Sequence, residues 1–186
     1  ILNQYEVLKN QLNPHMLFNS LNTLRSLVRE DQDKAQEYIQ ELSRVLRYTL
    51  QGNESKSVSL RDEMEFVSAY IFLLKMRFED NLSFDIRIDR QYDNHRLPPM
   101  AVQMLIENAV KHNEISDRRP LAIHVYTEGE ELVVTNPVQP KLTATAGTGV
   151  GLANLAKRYH LLYKCEIQIT ENEYFTVRIP LIPNAL

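Results

Sequence analysis

Glu107-Asn108-Ala109-Val110-Lys111-His112 places a carboxylate, an amide, an ammonium and an imidazole close together. A carboxylate can take a proton, an amide oxygen can hold Mg²⁺, and a lysine can meet phosphate. At about 100° per residue, Val102, Leu105, Ile106, Ala109 and Val110 fall on one side of a helix. Glu107, Asn108, Lys111 and His112 gather on the other. On this stretch alone, an ordinary solvated helix face is the simpler reading. Two further segments shift the balance. Pro14 stands inside a helical pattern, where it removes a hydrogen bond and crowds the preceding turn. A kink between Asn10 and Pro14 would present His15, the next residue, to a partner; a surface histidine is the alternative. Gly147-Thr148-Gly149-Val150-Gly151 stands at a loop-to-helix junction, where close backbone approach and unpaired N–H groups suit phosphate; a flexible hinge is the alternative. No Lys-Ser or Lys-Thr follows, so it is not a Walker motif, and no strand leads into it with dinucleotide-motif spacing.

Hydrophobic periodicity supplies the elements that would carry these groups. Tyr5, Leu8, Leu12, Leu17, Leu21, Leu24 and Val28 predict a first helix, to about residue 29. Asp31 or Asp33 caps a second, with Ala35, Tyr38, Ile39, Leu42, Val45, Leu46, Thr49 and Leu50 as its stripe and Gly52-Asn53 as its end. The two form an antiparallel hairpin whose apolar stripe needs a cover. A second copy would give a dimeric four-helix bundle; the following domain is the other candidate. Ser59, with Asp62, opens a third helix whose inner face is Leu60, Met64, Val67, Tyr70, Ile71, Leu74 and Phe78. Leu82, Phe84, Ile86 and Ile88 alternate as a strand, Tyr92 to Arg96 is loop, and Pro98-Pro99 leads into the helix of Glu107. Leu121, Ile123 and Val125 form a strand that turns at Glu128-Gly129 and returns over Leu132 to Thr135. The aperiodic stretch from Asn136 to Ala146 reads as a lid-like loop. A helix from Val150 to Tyr163 follows, with Leu152, Leu155, Tyr159 and Leu162 inward. A last hairpin turning at Asn172 carries Ile167, Ile169, Phe175, Val177 and Ile179.

The totals bound the class. A length of 186 residues allows one domain and an appendage, and 44% hydrophobic with 24% charged residues is a globular composition. A net charge of -3 gives no general electrostatic case for binding nucleic acid. Cys165, the single cysteine, excludes an internal disulfide framework and fits a reducing compartment. His95, His124 and His160 show no ligand spacing with carboxylates or cysteine, so no metal site is expected of them. No apolar run is long enough to cross a bilayer. The chain opens with Ile1 in mid-helix pattern, so it is expected to be the soluble fragment of a longer protein, with any membrane part before Ile1.

Gln11-Leu12-Asn13-Pro14-His15-Met16-Leu17-Phe18-Asn19, Glu107 to His112, and Gly147 to Leu152 occur in the order seen in LytS/YehU-type sensor histidine kinases. Ser59-Leu60 with Tyr70 and Arg77 resembles that family's linking helix. The resemblance covers nearly the whole chain, and the Asn-Pro-His-x-Leu-Phe-Asn segment is its most specific part. It implies an α+β protein: a phosphoacceptor and dimerisation hairpin over residues 1–56, then an ATP-binding GHKL (Bergerat) α/β sandwich with its linking helix over 57–186, the sheet mixed and largely antiparallel. His15 would be the phosphoacceptor. Asn108 would hold the Mg²⁺ of Mg-ATP, and Glu107 would polarise the nucleophile or a metal-bound water. Lys111 and His112 would approach the phosphates; Gly147, Gly149 and Gly151 would close the lid; Asn154 or Arg158 would reach the phosphates from the next helix. A neutral imidazole, the form that predominates near neutral pH, would attack the γ-phosphoryl group. The phosphoryl group would then pass to an aspartate of a response regulator, of LytTR type by the same resemblance.

Two departures stand out. The superfamily's Asp-x-Gly-x-Gly box, whose aspartate accepts the adenine amino group, is matched here only by Thr135-Asn136-Pro137-Val138. Asn136 offers an oxygen without charge. Asn113 stands where glycine often ends the helix, and asparagine tolerates that left-handed geometry. Two rival readings follow: a nucleotide-free scaffold signalling through helix packing, and an ATPase in which Glu107 activates water.

Overall fold

A computed structural model describes residues 14–51, 56–142 and 150–184. Helices α1 (Pro14–Glu30) and α2 (Gln32–Gln51) form the hairpin. Strand β1 (Val58–Ser59), helix α3 (Leu60–Phe78), strands β2 (Leu82–Arg87) and β3 (Arg96–Leu97), and helix α4 (Ala101–His112) follow. The remainder is β4 (Leu121–Glu128), β5 (Glu131–Pro137), α5 (Val150–Tyr163), β6 (Gln168–Glu171) and β7 (Tyr174–Pro180). Asp31 Oδ1 accepts from the N–H groups of Asp33 and Lys34 at 3.1 and 3.2 Å, so Asp31 is the cap of α2. Ser59 Oγ accepts from Asp62 N at 3.2 Å and caps α3. The expected kink and the Gly52-Asn53 stop lie outside the described residues, apart from Pro14 at the start of α1.

Five strands form one sheet in the order β2-β4-β5-β7-β6, with β2 parallel to β4 and every other pair antiparallel. A parallel neighbour requires a crossover, and the chain from β2 to β4 runs through α4, which is thereby placed against the sheet. Phe84, Ile123 and the row Val125, Val134 and Val177 face the helices. The other face is polar: Asp85 meets His124 at 3.5 Å, and the Thr135 and Thr176 hydroxyls are 2.7 Å apart.

Several details differ from the periodicity. β5 runs on through Asn136 and Pro137, which pair with Phe175 and Tyr174, so the irregular stretch begins later than expected. The short pairing of β1 with β3 had no alternating signal, being too brief to show one. Leu162, expected inward, is exposed, while Leu155 and Tyr159 of α5 are buried. On α1 the expected inner residues Leu21 and Val28 are exposed, and Ser20 and Leu27 are buried instead. The reason is that α1 turns Asn19, Ser20 and Thr23 toward a cavity. The stripe of α2 is covered only in part: Ala35, Tyr38, Leu42, Val45 and Thr49 are buried, and one core runs from them through α3 to the sheet, whereas Ile39 and Leu50, expected on the same stripe, are exposed.

Candidate active site

Where the hairpin meets α3 and α4 there is a cavity of about 500 Å³. His15 and Asn19 of α1, Tyr38 of α2, Tyr70 and Arg77 of α3, Glu107 and Lys111 of α4, and Lys141 all line it. Four segments far apart in sequence thus bring an imidazole, a carboxylate and three cations around one space.

Glu107 is held from within its own helix. Gln103 Nε2 donates to Glu107 Oε2 at 2.9 Å, and Gln103 also bonds the Tyr70 hydroxyl. Burial, then the Glu107 charge, pushes the Tyr70 hydroxyl well above its ordinary pKa, so it stays a neutral phenol. The start of α4 is anchored by a side chain from α3. Glu63, with no exposed surface, accepts from Met100 N at 3.0 Å and Val102 N at 3.2 Å. A carboxylate at a helix N-terminus satisfies orphan donors and opposes the helix dipole. Tyr48 of α2 donates to the same carboxylate at 2.7 Å, and its ring stacks on Phe66 at 4.2 Å. Met100 itself is left-handed, with φ 64.

The far end of α4 is also anchored. Asn113 is extended, with φ -118, so it does not provide the left-handed cap expected of it. Its side chain caps instead: Nδ2 donates to Ala109 O and Oδ1 accepts from Gln139 N, each at 2.8 Å. Gln139 Nε2 then donates to the carbonyls of Glu114 and Arg119 at 2.8 and 3.0 Å. This clasp fixes the chain two residues before Lys141. Burial, followed by Arg77 and Lys111, lowers the Lys141 pKa; burial, followed by Lys111 and Lys141, lowers that of His112. The cations of the cavity therefore feel one another.

The remaining expected site residues are distributed as follows. Asn108 and His112 are half-buried on α4. Gly151 lies in the first turn of α5, where an added Cβ would sit 3.1 Å from Met104 Sδ. Its missing side chain lets α5 approach α4. Asn154 and Arg158 are exposed on α5. Asn136, on β5, is 1% exposed, and its Nδ2 donates to Pro137 O at 2.7 Å. Gly147 and Gly149 lie outside the described residues. Sequence reasoning assigned no role to Glu63, Tyr48, Gln103, Gln139 or Lys141. For Glu63 a signal existed: it sits three residues after Leu60 and four before Val67, on the apolar stripe of α3.

The family model described as histidine kinase matches residues 3–82. The chain is 34% identical over 178 residues to the sensor protein LytS of Streptococcus agalactiae serotype V, covering 86% of this chain and 30% of that protein. It is 32% identical over 188 residues to the sensor histidine kinase BtsS of Escherichia coli K12, covering 95% of this chain and 33% of that protein. Among solved structures, the histidine kinase AdeS of Acinetobacter baumannii is similar at 15% identity and a TM-score of 0.44, covering 95% of this chain and 94% of that one. The chain spans about a third of the length of the curated relatives it matches, and it belongs with them to the family of sensor histidine kinases.

Proposed function

We propose that the chain is the kinase core of a two-component sensor, transferring the γ-phosphoryl group of Mg-ATP to His15. The division at residues 56 and 57 separates a phosphoacceptor hairpin from an ATP-binding sandwich. The observation that carries this reading is the shared cavity: His15 lines it together with Glu107 and Lys111 of the same chain. A lone pair of the imidazole forms the N–P bond. The bond from phosphorus to the bridging oxygen breaks, and its electrons leave with ADP. The proton on the other ring nitrogen is lost afterwards, with Glu107 as its acceptor.

The polar face of α4 has the donors this substrate needs. Among the described residues, no group of three or more His, Cys, Asp or Glu side chains could hold a metal by itself. Asn108 would supply an amide oxygen to the Mg²⁺ of the nucleotide, alongside phosphate oxygens. His112, Gly147, Gly149, Gly151, Asn154 and Arg158 would line the phosphate path between α4 and α5, and Asn136 would meet the adenine. Phosphohistidine then passes its phosphoryl group to a response-regulator aspartate, of LytTR type in our reading. The exposed Phe18, Leu21, Val28, Ile39 and Leu50 of the hairpin would be covered in a homodimer. No described helix is long and apolar enough to cross a membrane; attachment would come through a preceding segment.

Incubation with labelled ATP tests the reading. Acid-labile label is expected on the wild type and not on His15→Ala. Absence of both label and Mg-ATP binding would favour the scaffold, a reading supported by the depth at which Asn136 is buried.

A further inference from the structure

Arg77 and Lys141 enter the cavity from segments far apart in sequence. Arg77 is on the last turn of α3, its guanidinium 4.6 Å above the Phe78 ring. That stacking holds a planar fork at the cavity wall. Lys141 follows the Asn113–Gln139 clasp. With Lys111 they make three cations in a space where, among the described residues, Glu107 is the one carboxylate, beside His15. Among the described residues, no ion pair involves Arg77, Lys111 or Lys141. Burial lowers the Lys141 pKa most, and the Arg77 and Lys111 charges lower it further, as expected of cations that face one space.

We propose that Arg77 and Lys141 bind the phosphoryl group in transit, forming with Lys111 a three-cation cradle around His15. The inference rests on the kinase reading and adds the residues that meet the charge. In a loose transfer, negative charge is spread over three equatorial oxygens while the nitrogen–phosphorus bond forms and the bridging bond breaks. Cations placed in advance stabilise that charge without reorganising. Arg77 would supply a fork to two oxygens and Lys141 a point charge to the third. After the transfer the same cradle faces the phosphoimidazole.

The test follows the His15 ring by NMR in the full chain with labelled histidine, while inorganic phosphate is added at constant ionic strength. The resonance is assigned with His15→Ala. In the wild type it should shift with saturation. Arg77→Gln combined with Lys141→Gln should need about tenfold more phosphate or greater, and Arg77→Lys should retain part of the response. A double variant that titrates like the wild type, or a wild-type ring indifferent to phosphate, overturns the proposal. Single-turnover labelling by Mg-ATP separates the two readings. The double variant should label about tenfold or more slowly, with ATP affinity within about threefold of the wild type. Equal labelling rates would sink the cradle and leave the kinase standing. A wild type that binds no Mg-ATP would sink the kinase, while the phosphate titration would still decide the cradle.

Discussion

Glu63 is a carboxylate with no exposed surface, and burial pushes its pKa from 4.5 up to about 7, against the lowering effect of its hydrogen bonds from Tyr48, Val102 and Met100. The folded state therefore holds this proton more tightly than the unfolded chain. The stability Glu63 contributes is fully present below about pH 4.5 and is lost as pH rises through about 7. The difference amounts to on the order of 3 kcal/mol across that window. Urea denaturation at pH 5 and pH 8 measures it, and Glu63→Gln should flatten the fall. Tyr48→Phe removes a hydrogen bond to a charged group and should cost about 1.5–3 kcal/mol at pH 8. Gly151 makes a different demand. A branched side chain there would press on Met104, so Gly151→Val should destabilise by about 1–3 kcal/mol, and Met104→Ala should recover part of the loss. Thermal denaturation of the two single variants and the double one would show the coupling.

At the level of elements, α4 is the member everything else holds in place: Glu63 at its start, Asn113 at its end, α5 alongside. Asn113→Ala would remove a helix cap and leave the Gln139 N–H without its acceptor. A loss of about 2 kcal/mol is expected by denaturation, together with slower labelling because Lys141 loses its fixed approach. The order and type of most elements were legible in the sequence, since α4 and β4 each carry a period that matches their burial, and α2 does so apart from the exposed Ile39 and Leu50. His15 and Glu107 were singled out in the sequence by a proline and an all-polar stripe, and both line the cavity. Lys141 and Gln139 were not, because an aperiodic loop carries no signal of what it will touch. The inner stripe of α1 was misread for a related reason. Periodicity reports apolar spacing, and α1 directs polar residues at a cavity while leaving Leu21 and Val28 outside.

In the molecule as a whole, His15 shares a cavity with the Glu107 of its own chain, which predicts that labelling is intramolecular. Mixing His15→Ala chains with Asn108→Ala chains under conditions of subunit exchange tests this. Neither partner should become labelled; label on the Asn108→Ala chain would mean transfer between copies. The hairpin is also no loose arm. Its α2 shares a core with α3, and Tyr48 is bonded to the side chain that anchors α4. A shift of α2 thus bears on Glu63, and through it on the first turn of the helix carrying Asn108.

Met100, just before that turn, has a backbone that a residue with a β-carbon adopts at a cost of about 1–2 kcal/mol. Its N–H is held by Glu63 all the same. The joint is thus held twice, by its own backbone and by a side chain that also answers to the hairpin, and Met100→Gly is expected to ease the first constraint while leaving the second in place.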